Sequence, residues 1–266
     1  NMRYKIKFFI IIFNIIKKVF YINLDEREKR KETCEKQLQQ LEWKFERFPA
    51  IKHKNGAIGC ALSHLRILQR AKKEKLKYVI IFEDDFIIVN IEKFKAAFQN
   101  FLKQKPYFDV LKLGANPFPP YKQITKRYLN VNYSQTTHAY MVFDHYYNTL
   151  IKNYKESIYL MNKYGNGPMG IFCCDAWQNT LIHNNNHTWL VLLPLTITQK
   201  TDYSDIEKKR VAYSKSLLNI KLSTTKSFRH EGDILTEKDL YEKMTKKKLY
   251  ILLNNYKRLK NEIDKI

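Results

Sequence analysis

Five strand-forming residues, Tyr78–Phe82 (YVIIF), run directly into three acids, Glu83-Asp84-Asp85. An unbroken apolar run of this length marks a strand covered on both faces, and such a strand needs a layer of structure on either side. The surrounding segments supply those layers. Val19–Leu24 reads as a buried strand, Glu26–Leu41 as a helix and Phe45–Ile51 as a short strand broken by Pro49. Lys52–Gly59 reads as a polar loop, and Ala61–Leu76 places Leu62, Leu65 and Leu68 at helical spacing. Further on, Ile91–Lys103 reads as a helix, Asp109–Leu113 and Thr136–Phe143 as strands, and His145–Asn162 as a helix. Gly165–Gly170 (GNGPMG) reads as a flexible loop, Ile171–Asn184 as a helix and Thr188–Thr198 as one late strand. Alternation of strands and helices predicts an α/β fold with three layers around a mixed, mainly parallel sheet.

Charge narrows the function. The 266 residues carry 48 Lys+Arg against 26 Asp+Glu, a formal charge of +22. That balance suits an acidic partner: nucleic acid, an anionic membrane surface or a phosphorylated small substrate. The excess is scattered lysine rather than clustered arginine, which speaks against base-specific reading of nucleic acid. Cys34, Cys60, Cys173 and Cys174 form no CxxC pair and no zinc-ribbon spacing, so a disulfide scaffold is not expected and a reducing, cytoplasmic setting is. Phe8–Ile16 is apolar over only nine residues, short of the roughly 20 that span a bilayer. It reads as a helix or strand leading into the fold, in preference to the hydrophobic region of a signal peptide, since no small-residue cleavage site follows. Three regions are expected: a leader over 1–18, a catalytic domain over 19–206, and a Lys-rich extension over 207–266 with surface helices from Leu235 and docking positions at Leu240, Met244 and Leu249. The heavy use of Lys, Asn and Ile suggests an AT-rich bacterial or large-virus genome.

Three segments carry candidate chemistry. The first is Glu83-Asp84-Asp85. Adjacent carboxylates at the end of a buried strand repel one another unless a cation or donors offset the repulsion. Ligands of open α/β sheets bind beyond the carboxyl ends of the strands, and all-oxygen ligands suit a hard ion such as Mn²⁺ or Mg²⁺. The second is Asn23-Leu24-Asp25-Glu26-Arg27-Glu28-Lys29-Arg30, where Arg27 and Arg30 either face a phosphate or lock the loop. The third is Gly56-Ala57-Ile58-Gly59-Cys60-Ala61-Leu62-Ser63-His64, whose glycines permit close approach of backbone to a ligand. His64 is as consistent with a core or orienting histidine as with a catalytic one, and Cys60 with buried filler.

In order along the chain these segments resemble glycosyltransferase family 25, which includes bacterial lipooligosaccharide galactosyltransferases and animal procollagen galactosyltransferases. Ile22, Asn23, Leu24, Arg27 and Arg30 match an I-N-L-x-R-R-x-x-R-like run, with a departure at Glu26. Gly56, Gly59, Cys60, Ser63 and His64 match G-x-x-G-C-x-x-S-H, and Glu83, Asp84 and Asp85 match E-D-D. Asp109, Val110, Leu113 and Gly114, then Thr137, Ala139 and Tyr140, then Gln199 with Ser204-Asp205-Ile206, are weaker echoes. The resemblance implies a GT-A-like fold, a UDP-sugar donor, a divalent metal and inverting transfer of a hexose to a glycan or protein acceptor. It implies Asp85 as metal ligand, Glu83 or Asp84 on ribose or a metal-bound water, and Asn23, Leu24, Arg27 and Ser63 around the nucleotide. As catalytic base we select Asp175, at a helix start behind the Gly165–Gly170 loop; capping of that helix is its alternative role. Trp177 and Trp189 are candidates for sugar stacking, and His138, His183 or His187 for completing a metal shell. The other classes weighed are a basic nucleic-acid-binding protein or metal-dependent nuclease using the same carboxylates, and a catalytically silent scaffold. The basic tail is a candidate for peripheral contact with an anionic membrane.

Overall fold

The structure, a computed structural model, describes residues 18–204 apart from 119–120, 168–169 and 184–185, together with 206, 209–211 and 217–218. The expected leader and the Lys-rich extension lie almost wholly outside the described residues. Twelve strands are present among the described residues: β1 (Val19–Asn23), β2 (Phe45–Pro49), β3 (Tyr78–Glu83), β4 (Phe86–Ile88), β5 (Val110–Phe118), β6 (Gln123–Ile124), β7 (Tyr128–Asn130), β8 (Tyr133–Phe143), β9 (Trp189–Leu192), β10 (Ile197–Gln199), β11 (Asp202–Ser204) and β12 (Lys209–Val211). The helices are α1 (Glu28–Gln40), α2 (Gly56–Lys73), α3 (Ile91–Gln104), α4 (Tyr147–Tyr164) and two single turns, α5 (Cys174–Trp177) and α6 (Asn179–Ile182).

Eight strands form the central sheet in the order β2-β1-β3-β8-β5-β9-β7-β6. β1 pairs parallel with β2 and β3, and β5 with β9, while β8 runs antiparallel between β3 and β5. With β7 antiparallel to both β9 and β6, six of the eight strands point one way and only β7 and β8 reverse. The mixed, mainly parallel sheet expected from the sequence is therefore the one observed.

Alternation along the strands sorts side chains into two cores. Phe20, Ile22, Val79, Ile81, Val110, Tyr140 and Val142 pack with Ala61, Leu65 and Leu68 of α2 and Leu150 and Tyr154 of α4. Val19, Tyr21, Ile80, Phe82, Leu111, Leu113 and Met141 pack instead with Cys34 and Leu38 of α1 and Phe94, Phe98 and Phe101 of α3. Each face is sealed by helices, which makes the apolar strand runs stable.

Three expectations are corrected. The predicted loop over Lys52–Gly59 ends at Asn55: its side chain accepts from the Ala57 N–H at 3.0 Å and starts α2 at Gly56. The predicted helix over Ile171–Asn184 is two short turns, α5 and α6. The single late strand over Thr188–Thr198 is two: β9 joins the central sheet, whereas β10 leaves it to pair with β4. A continuous apolar stretch does not reveal where a strand changes sheet.

Candidate functional site

The acid triplet stands where β3 stops, and strand alternation splits it. Glu83 continues the Val79–Ile81 face and turns toward α2; Asp84 continues the Ile80–Phe82 face and turns toward α1. Glu83 Oε1 lies 3.2 Å from His64 Nε2 and accepts from Thr137 Oγ1 at 2.6 Å. Burial alone would raise its pKa, but these two partners hold it below the usual glutamate value. Asp84 accepts from Arg30 Nη1 at 2.9 Å on one oxygen and from Asn23 Nδ2 at 2.8 Å on the other. Burial nonetheless keeps its pKa above the ordinary aspartate value.

Asp85 differs from both. One oxygen accepts from Gln199 Nε2 at 3.1 Å. The other, Oδ1, is sealed from solvent and has no hydrogen-bond partner among the described residues. Burial, together with the charges of Glu83 and Asp84, pushes its pKa up to about 8. A carboxylate oxygen shut away without a donor is costly as an anion, and a bound divalent cation relieves that cost. The residues present therefore fit a hard metal at this corner, on a ligand atom that the protein itself leaves unsatisfied. Gln199 reaches Asp85 because β10 pairs with β4 directly after the triplet, and the Lys200 N–H also donates to the Asp85 carbonyl at 2.6 Å.

The other sequence candidates separate into those that frame this corner and those that lie elsewhere. Asn23 is 1% exposed; its amide donates to Asp84 and accepts from Arg47 Nε at 2.9 Å, so both ends engage protein. Arg30 bridges Asp84 and Asp202, a contact of the loop-locking kind among its two expected roles. Leu24 and Arg27 lie half-buried between β1 and α1. Ser63 is fully buried, donates to the Gly59 carbonyl and accepts from the Ile51 N–H, both at 2.8 Å, so its hydroxyl fastens α2 to the preceding segment. Gly59 serves the same contact: a Cβ there would stand 2.5 Å from the Ile51 carbonyl oxygen. Its expected closeness to a ligand is instead closeness to neighbouring backbone.

Asp175 sits in the first turn of α5 but does not cap it, since Cys173 is the N-cap. Its Oδ2 accepts from the Thr136 N–H across the layer at 3.2 Å. Thr136 holds φ at 70°, the left-handed region that a β-branched residue avoids. Three groups hold it there: Asp175 on its N–H, Lys112 Nζ on its carbonyl at 2.8 Å, and His138 Nδ1 against its Oγ1 at 3.0 Å. Lys112 is 1% exposed, lies over the Trp189 ring, and is lowered by burial to a pKa of about 8 against the pull of Asp175. Sequence reasoning singles out neither Lys112 nor the conformation of Thr136. The available signal is a lysine inside the otherwise apolar run Val110–Leu113.

Trp177 and Trp189 are buried at 0% and 1% exposure, with indole N–H groups on Glu156 and Tyr146; they belong to the core and offer no face to a sugar. Among the three histidines, His138 approaches Gly114 so closely that a Cβ there would lie 2.3 Å from its Nε2. His187 packs on Tyr146, beside the start of β9 and at the end of the sheet opposite the triplet. His183 packs against Tyr133.

Residues 54–172, which include the α2 motif, the triplet and the Thr137–Tyr140 echo, match a known family. It is glycosyltransferase family 25 (LPS biosynthesis protein). The resemblance read from the motifs is thereby borne out, and the activity that accompanies it is glycosyl transfer. Among solved structures the chain is similar to a glycosyltransferase involved in glycosylation of the major capsid of PBCV-1, at 12% identity and TM-score 0.41, over 65% of this chain and 80% of that one. It is also similar to a mannose-1-phosphate geranyltransferase from Thermus thermophilus, at 9% identity and TM-score 0.39, over 66% of this chain and 73% of that one. No curated protein matches. The helix-covered, mainly parallel sheet described above agrees with the three-layer α/β fold expected from the sequence. No helix among the described residues is long and apolar enough to cross a membrane.

Proposed function

We propose that this chain, similar to family 25 over residues 54–172, is a metal-dependent, inverting glycosyltransferase that moves a hexose from a UDP-sugar to a hydroxyl on a glycan or protein. The observation that carries the reading is the solvent-sealed Oδ1 of Asp85, unpartnered among the described residues at the carboxyl end of β3. A Mn²⁺ or Mg²⁺ ion bound there supplies positive charge against the diphosphate that leaves the donor. Gln199 fixes the Asp85 carboxylate, and Arg30 and Asn23 hold Asp84 beside it, so the corner is ordered before any ligand arrives. Asp175 takes the proton of the attacking acceptor hydroxyl. Its Oδ2 is anchored on the Thr136 N–H, and the half-buried position of the residue gives an acceptor access to it. Lys112 fixes the other end of the same Thr136 residue and thereby its orientation toward Asp175.

Differential thermal stability with UDP, UDP-hexoses and other nucleotide-sugars, each with and without Mn²⁺, tests the donor and metal assignments. UDP with Mn²⁺ should raise Tm more than either alone, and Asp85→Asn should abolish the increment while leaving the starting Tm within a few degrees. Transfer by that variant should fall about 10²–10³-fold. An Asp85→Asn protein that still responds fully to Mn²⁺ removes the metal from this corner. For the base, Asp175→Asn should lower turnover about 10²–10⁴-fold with donor affinity little changed; matching losses in both would make Asp175 a structural residue only.

A further inference from the structure

We propose that Cys60, His64 and Glu83 form a binding site for a borderline-soft divalent cation of the zinc class, separate from the oxygen-lined corner at Asp85. Cys60 and His64 are four residues apart on α2, so both project from one face of the helix. Glu83 meets them from the end of β3, and the three ligand atoms lie within 4.8 Å of one another. His64 Nε2 and Glu83 Oε1 are 3.2 Å apart. A tetrahedral zinc with bonds of about 2.0–2.1 Å to nitrogen and oxygen separates those two ligands by about 3.3 Å, so the pair already stands near the required spacing.

The surroundings match those of a metal site. Metal-bound histidines make a hydrogen bond through the second ring nitrogen, and ligating carboxylates are themselves hydrogen-bonded. His64 Nδ1 lies 3.0 Å from the Tyr140 hydroxyl, and its ring is stacked with both Tyr140 and Tyr154. Glu83 is held by the Thr137 hydroxyl at 2.6 Å. Both ligands are thus oriented by groups that would remain in place after an ion entered. These three side chains leave the fourth position of a tetrahedral ion to a water or an exogenous ligand. On binding, the Cys60 thiol gives up its proton to solvent, the proton that His64 Nε2 shares with Glu83 is displaced, and the ring's remaining N–H is the Nδ1–H facing Tyr140. One thiolate and one carboxylate then neutralise the doubly charged ion. A sulfur–nitrogen–oxygen set selects a softer metal than the all-oxygen Asp85 corner, so the two sites differ in the ion they take. The inference does not depend on the proposed donor or acceptor.

Cobalt(II) serves as a spectroscopic substitute for zinc in the 266-residue chain. The wild type should bind one equivalent in competition with zinc and develop thiolate-to-cobalt charge-transfer absorption together with tetrahedral d–d bands. Cys60→Ser should lose the charge-transfer absorption and bind zinc at least tenfold more weakly; Asp85→Asn should retain both. Zinc should also protect Cys60 in the wild type from alkylation, read by peptide mass spectrometry, which requires no variant to fold. Absence of charge-transfer absorption in the wild type, its survival in folded Cys60→Ser, or alkylation of Cys60 unaffected by zinc would each overturn the proposal. The Mn²⁺ response of Asp85 has its own variant, so either assignment can fail without the other.

Discussion

Lys112 is the residue at which burial and charge conflict most directly. Its folded pKa, about 8, lies below the ordinary lysine value because burial disfavours the ammonium. Between those two values the unfolded chain binds more protons than the folded one, so folding stability from this group rises as pH rises through the window. About 2.5 units at 1.36 kcal/mol each amounts to about 3 kcal/mol. The unfolding free energy of the wild type should therefore gain on that of Lys112→Met by about this much between about pH 7 and the ordinary lysine value of 10.5 in paired denaturant titrations. A constant difference across that range would mean that the ammonium is solvated in the folded protein. The same substitution removes the donor to the Thr136 carbonyl, so its turnover loss should resemble a mild version of Asp175→Asn.

At the scale of elements, α2 does more positioning than any other helix. It carries Gly59 and Ser63 against the Ile51 backbone and His64 against Glu83. Gly59→Ala would force a Cβ against a carbonyl oxygen that is part of the main chain and cannot rotate away. Overpacking of this kind costs about 1–3 kcal/mol, which corresponds to a Tm lower by several degrees; an unchanged Tm would show that the Ile51 segment moves easily away from α2. This contact explains what the sequence shows and what it conceals. The G-x-x-G-C-x-x-S-H spacing is legible as a motif, and so is its place at a helix start. The partner of Gly59 is not, because the Ile51 carbonyl becomes a neighbour only after the chain folds back. Alternation of Val79 to Phe82 is equally legible and sets the opposite directions of Glu83 and Asp84. The backbone turn at Thr136 is not, since a left-handed threonine is imposed by Lys112, Asp175 and His138, three residues that sequence spacing does not bring together.

For the whole molecule, the charge of +22 makes attraction to anionic surfaces a testable expectation. Binding to vesicles rich in phosphatidylglycerol should weaken steeply from about 0.05 to about 0.3 M salt, as the Debye length contracts to less than about 10 Å. Retention on DNA that exceeds retention on vesicles at equal salt would favour the nucleic-acid class instead. At this scale Gln199 and Asp202 matter most. They meet Asp85 and Arg30 across more than a hundred residues of chain, Gln199 from β10, which pairs with β4 beside the acids, and Asp202 from the start of β11 just after it. The corner proposed to hold the ion is consequently a late product of synthesis. A nascent or truncated polypeptide ending before Gln199 would contain every acid of the E-D-D motif yet lack the clasp that orients the last of them, so competence to bind the ion should arise only when that distant strand arrives.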